Sequence, residues 1–125
     1  MKRVVIADDE TRLRLLVATT ISTGDYEVLQ AADGDEAWAL IQKHRPDLVV
    51  LDVQMPGRTG LEITQQIRRD PLLKKIPVIL LTAKAQESDV LKGGAAGADL
   101  YISKPFRPAE LLNAVELVLG GAKQR

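Results

Sequence analysis

Short runs rich in Val, Ile and Leu alternate along the chain with segments in which apolar residues recur every three to four positions. The runs are RVVIA (3 to 7), EVLQA (27 to 31), LVVL (48 to 51), PVILL (77 to 81) and DLYIS (99 to 103). Their length and β-branched content are those of strands. Between the first two, Leu13, Leu16, Val17, Thr20 and Ile21 take the i, i+3, i+4, i+7, i+8 spacing of one buried helix face, with Arg12 and Arg14 turned outward and Gly24 as a stop.

A second helix over about 34 to 44 turns Ala37, Leu40 and Ile41 inward, leaves Trp38 partly buried, and ends at His44 because Pro46 cannot continue it. Placed there, His44 suits the negative end of the helix dipole better than a role in chemistry. A third helix, about 60 to 69, buries Leu61, Ile63 and Ile67 before Asp70 and Pro71. In the last helix Pro108 suits the first position and Glu110 the positive end of the dipole, Leu111, Leu112, Val115, Val118 and Leu119 form the stripe, and Gly120 ends it.

Nearly all-apolar strands alternating with amphipathic helices predict a parallel sheet covered on both faces, and right-handed crossovers make a doubly wound α/β layout its simplest form. Glu27 and Gln30 suit the second run to an edge. The pattern contains no internal repeat and no linker, so residues 1 to 125 are expected to form one domain, with a core from about 3 to 119 and a short tail, 120 to 125, that frays.

Composition narrows the function. A chain of 125 residues with 46% hydrophobic and 27% charged residues can build a real core. Lys plus Arg and Asp plus Glu both number 17, so there is no global field to hold nucleic acid. There are no cysteines, which removes disulfides and thiolate metal sites. No apolar run approaches the roughly 20 residues of a membrane helix, and the N-terminus meets acids too soon for a signal peptide. A cytoplasmic protein without a membrane partner is expected, and Met1 with the short basic tail suggests a complete single-domain chain.

Four strands end on groups that can do chemistry: Asp8 and Asp9 after the first, Asp52 after the third, Thr82 after the fourth and Lys104 after the fifth. In an open parallel sheet these ends gather at one crevice. Asp8 and Asp9 could be helix caps, and capping suits one of them. Yet three carboxylates within reach repel, by roughly 4 kcal/mol per pair about 4 Å apart at an effective dielectric near 20. A hard cation relieves this, and an all-oxygen donor set favours Mg²⁺ or Mn²⁺ over softer metals. With Lys104 as a point charge and Thr82 as a hydroxyl donor, the set makes a phosphoryl-transfer site with Asp52 as the acceptor.

The segments ADDE, LDVQMPG, LLTAK and GADLYISKPF, in this order and spacing, resemble the receiver domain of two-component response regulators, over about residues 3 to 119. The resemblance implies a flavodoxin-like (βα)5 fold with strand order 2-1-3-4-5, like that of CheY. It implies that Asp52 takes a phosphoryl group from a sensor histidine kinase or phosphotransfer protein. Asp9, Asp52 and the backbone carbonyl of Gln54 would then ligate Mg²⁺, with Asp8 acting through water. Lys104, before a cis peptide at Pro105, would pair with the phosphoryl group, and Thr82 with Tyr101 would form the switch pair. Small Ala83 would leave the phosphate accessible, and Gln54 and Lys84 could tune its lifetime.

The implied output face joins a fourth helix, the fifth strand and the last helix, where a partner or a second copy could dock. Ala114 and Leu117 widen its apolar surface. Gly93 and Gly94 fall where the fourth helix should run and cost it roughly 2 kcal/mol against alanine, so a short or frayed helix is expected.

Three alternatives share parts of this pattern. A receiver-like module could work by binding alone, without phosphorylation. A haloacid-dehalogenase-type phosphatase also uses a strand-end Asp with Mg²⁺, but it needs a second acid two residues on, where Gln54 stands. A flavin carrier would need aromatic company at the crevice, for which only Tyr101 and Phe106 are available. The switch is therefore expected to be no turnover enzyme.

Overall fold

In the computed structural model, which describes residues 1–83 and 97–120, the strands are β1 (Lys2–Ala7), β2 (Tyr26–Ala31), β3 (Leu48–Asp52), β4 (Val78–Ala83) and β5 (Leu100–Lys104). Helices α1 (Thr11–Ser22), α2 (Gly34–His44) and α3 (Gly60–Arg69) link the first four strands, and a C-terminal helix (Pro108–Gly120) follows β5. The expected helix with Gly93 and Gly94, Lys84 beside the site, and the tail beyond Gly120 lie outside the described residues.

All five strands run parallel in the order β2-β1-β3-β4-β5. The strand period of two divides their side chains between two cores. Val5, Ala7, Val49, Leu51, Val78 and Leu80 face α2 and α3. Val4, Ile6, Leu48, Val50, Ile79 and Leu81 face α1 and the C-terminal helix. Burial on both faces is why β1, β3 and β4 read as continuous apolar runs, and β2, with Glu27 and Gln30, is an edge as expected.

Local chemistry sets the helix ends. Asp33 caps α2 by accepting the Glu36 N–H at 2.8 Å, and Thr59 with Glu62 closes a reciprocal capping box on α3. Helix α2 terminates at Arg45, held in the left-handed region at φ 45° with its N–H on the Ile41 carbonyl. Pro46 then blocks any continuation.

Three expectations need correction. Leu16 is 43% exposed rather than buried, and the inward stripe is filled by Val17, Ala18, Thr20 and Ile21. Arg14 does not point away: its guanidinium reaches back to the Asp8 carbonyl at 2.9 Å. Strands β3, β4 and β5 run through Asp52, Thr82 and Lys104 instead of stopping before them, since ladder pairing continues to Asp52 opposite Leu81, Thr82 opposite Ser103 and Ala83 opposite Lys104.

Candidate phosphoacceptor site

The parallel registers carry the strand ends to one edge of the sheet. Ala7 lies opposite Leu51 and Asp52 opposite Leu81, so Asp8, one residue past β1, comes beside Asp52. Asp8 is fully buried and Asp52 nearly so, while Asp9 is exposed. Carboxylate oxygens of Asp8, Asp9 and Asp52 lie within 4.8 Å of one another. Lys104 enters from β5, with its Nζ 3.1 Å from Asp52 Oδ1 and 3.5 Å from Asp8 Oδ2. The Lys104–Pro105 peptide is cis.

Neither Asp8 nor Asp9 caps α1, whose N-cap is Glu10. Asp8 instead accepts the Glu10 N–H at 2.9 Å on Oδ1, which fixes its carboxylate and leaves Oδ2 facing Lys104. Arg14 Nη1 donates to the Asp8 carbonyl and its Nε stands 3.4 Å from Gln30 Oε1, tying the acid-bearing turn to α1 and to β2. Periodicity missed this role. A usable signal existed, because a cation in the first turn of a helix opposes the dipole and so suggests a specific partner.

Burial and the neighbouring Asp8 charge push the Asp52 carboxyl up from 3.8 to about 6. The Lys104 charge, its hydrogen bond and the Gln54 backbone N–H pull the other way and lose. One lysine thus leaves the acidic cluster short of positive charge. Three oxygen ligands this close, with no imidazole or thiolate among them, suit a hard divalent cation.

Thr82 lies one residue beyond Leu81, the ladder partner of Asp52, and Tyr101 three residues before Lys104. Strand alternation gives both to the other face of the sheet, where half-buried Tyr101 packs against the core of α2 and α3 and loss of hydration raises its phenol. The buried Thr82 hydroxyl donates to the Ala83 carbonyl at 3.1 Å. Beside Lys104, the exposed side chain of Leu16 joins Leu13, Pro105 and Phe106 along an apolar groove.

The sequence model for the response regulator receiver domain matches residues 4–116. The chain belongs to that family. It is 41% identical over 118 residues to the phosphate regulon transcriptional regulatory protein PhoB of Pseudomonas aeruginosa, covering 94% of this chain and 52% of that one. It is 37% identical to the alkaline phosphatase synthesis transcriptional regulatory protein PhoP of Bacillus subtilis, covering 94% and 48%. The chain therefore spans about half the length of these curated relatives. Among solved structures it matches the chemotaxis response regulator CheY4 of Vibrio cholerae with a TM-score of 0.87 and 38% identity, covering 95% of this chain and 99% of that one. A putative response regulator from Chloroflexus aurantiacus gives 0.88 and 35%, covering 95% and 98%.

As a receiver domain, the chain is a two-component signalling module with an acidic pocket of Asp8, Asp9, Asp52 and Lys104, not a turnover enzyme. Membership implies a histidine kinase upstream. Among the described residues no helix is long and apolar enough to cross a membrane.

Proposed function

We propose that this receiver is a phosphorylation-driven switch in which Asp52 accepts a phosphoryl group from a phosphohistidine. The observation that carries the reading is the placement of Asp52: nearly buried at the end of a central strand, 3.1 Å from Lys104 and within 4.8 Å of two further acids. An Asp52 carboxylate oxygen attacks phosphorus, the acyl P–O bond forms as the donor's P–N bond breaks, and the imidazole leaves with that electron pair.

Asp9, Asp52 and the Gln54 carbonyl would hold Mg²⁺, with Asp8 acting through water, and the ion would supply the positive charge that the transferring oxygens need. Lys104 is already aimed at Asp52 and would follow the charge onto the phosphoryl oxygens. Thr82 would exchange its bond to the Ala83 carbonyl for one to the phosphoryl group. Tyr101 would then turn inward. The apolar groove of Leu13, Leu16, Pro105 and Phe106 suits the approach of the protein that carries the phosphohistidine. The curated relatives are named as transcriptional regulators, so transcription is the output class they suggest for the face built on β5 and the C-terminal helix. Leu117, 65% exposed there, suits contact with a partner or a second copy.

The test is intact mass after incubation with Mg²⁺ and acetyl phosphate. One added phosphoryl group, lost in Asp52→Asn and in chelator, is the expected result. No gain in folded protein would overturn the reading in favour of a receiver that works by binding alone.

A further inference from the structure

The loop between β3 and α3, residues 53 to 59, has two fastenings. Its inner half is anchored to the sheet: the Val53 N–H donates to the Leu81 carbonyl at 2.9 Å, and Val53 and Met55 are buried. Its outer half lies on the first turn of α2. The Pro56 carbonyl accepts the Gly34 N–H at 3.0 Å, and the backbone of Arg58 passes so close that a Cβ on Gly34 would sit 1.8 Å from its carbonyl oxygen. Gly57 adopts φ +76°, and a Cβ there would stand 2.7 Å from Asp35 Oδ2. The Arg58 guanidinium closes the arrangement, with Nη1 3.2 Å from Asp35 Oδ1 and its centre 5.8 Å from the Trp38 ring centroid.

We infer that Arg58, held between Asp35 and Trp38, is a positioning residue that sets the Gln54 peptide for the phosphoacceptor and its metal. This rests on the switch reading above. The Arg58 side chain is more than a third exposed and Asp35 twice that, so the pair adds little to global stability. Its placement on the loop gives it another effect. The Gln54 N–H lies close enough to Asp52 to lower its carboxyl, and the carbonyl of the same residue is the one expected to face the cation. The two groups lie in successive rigid peptide planes that meet at the Gln54 Cα, so a loop free to pivot at its outer end changes their relative orientation through φ and ψ. The clamp at Gly34, Gly57 and Arg58 removes that pivot before any ligand arrives, and pre-organisation of this kind tightens binding without adding a contact to the ligand.

The test compares wild type, Arg58→Ala and Arg58→Lys, the last keeping the charge opposite Asp35 but not the planar guanidinium over Trp38. Calorimetric titration with Mg²⁺ should show Arg58→Ala weakened about fivefold, the scale of one exposed cation–π contact with one exposed ion pair, and Arg58→Lys between the two. The Mg²⁺ concentration for half-maximal phosphoryl uptake from acetyl phosphate should rise by the same factor, with the plateau rate unchanged. Melting temperatures should agree within about 3 °C.

Equal Mg²⁺ affinity in wild type and Arg58→Ala would overturn the clamp and leave the switch standing. A wild type that binds no Mg²⁺ would sink both. Should Arg58→Ala melt below the assay temperature, Arg58→Lys carries the comparison: weakened Mg²⁺ binding supports the clamp, and affinity equal to wild type overturns it.

Discussion

Replacing Asp52 with asparagine should stabilise the metal-free domain. Lifting the carboxyl from 3.8 to about 6 corresponds to about 3 kcal/mol between its two protonation states. The Asp52 side chain is only 8% exposed, so solvent screening reduces this modestly, and about 2 kcal/mol is expected. The sign follows from proton counting. Below pH 3.8 the carboxyl is protonated in both folded and unfolded chains and its contribution is fully present. As pH rises toward 6 the folded chain retains a proton that the unfolded chain has lost, and stability falls until the folded carboxyl also ionises. Above that the penalty is constant. Asp52→Asn has no proton to lose, so in chelator its melting temperature should exceed that of wild type by about 6 °C at pH 8, with the gap closing toward pH 4. On the proposed ligation of Mg²⁺ by Asp52 in the folded chain, saturating Mg²⁺ should raise wild type more than the variant. A variant that melts with or below wild type throughout pH 4 to 8 without metal would refute the charge argument.

Lys104→Met removes the cation shared by Asp8 and Asp52. Metal-free stability at pH 8 should drop by about 2 kcal/mol, and a carboxyl NMR titration should place Asp52 above its wild-type value; an unchanged titration would mean that Lys104 does not face the acids in solution. Arg68 Nε and Nη1 donate to the carbonyls of Gly97, Lys74 and Ile76, and Nη2 pairs with Asp99, which itself accepts the Val78 N–H. Arg68→Ala should therefore cost about 2 to 4 kcal/mol in urea unfolding, far above an ordinary surface substitution, and a loss under about 0.5 kcal/mol would count against this hub.

The two-faced core was legible because it rests on a strand period of two and a helix period of 3.6, both written in the positions of Val, Ile and Leu. Alternation also separates Asp52 and Lys104, in phase with Leu48, Val50 and Ile102, from Thr82 and Tyr101, in phase with Val78 and Leu80. That Asp8, Asp52 and Lys104 meet followed from parallel strands ending at one edge; the strand order itself came with the family resemblance. Arginines were the blind spot. Arg14, Arg58 and Arg68 look like solvated surface in any hydropathy pattern, yet each reaches across to backbone carbonyls or acids of another element. A side chain several bonds long is not confined to the face from which it starts. Leu16 failed for the opposite reason: its spacing is that of a core residue, yet it lines the groove beside Lys104 with Leu13, Pro105 and Phe106.

The switch, as proposed, cannot draw on every group at the site equally. Moving a population from 1:99 to 99:1 takes about 5.5 kcal/mol of differential stabilisation, and only interactions that differ between the two states count. Lys104 is already bonded to Asp52 without phosphate, so most of its attraction is common to both. Thr82 would exchange one hydrogen bond, to the Ala83 carbonyl, for a charge-assisted one, a gain of about 1 kcal/mol. Further burial of Tyr101, already half covered, adds about as much again. Together with the extra negative charge that Lys104 would meet, this comes to about 3 kcal/mol, enough to bring 1:99 near parity but not to reverse it. Phosphorylation would thus leave the isolated domain a mixture, and the remaining stabilisation would come from whatever binds the face of β5 and the C-terminal helix. By the reciprocity of linkage, that partner must in turn stabilise the phosphorylated form by the same factor.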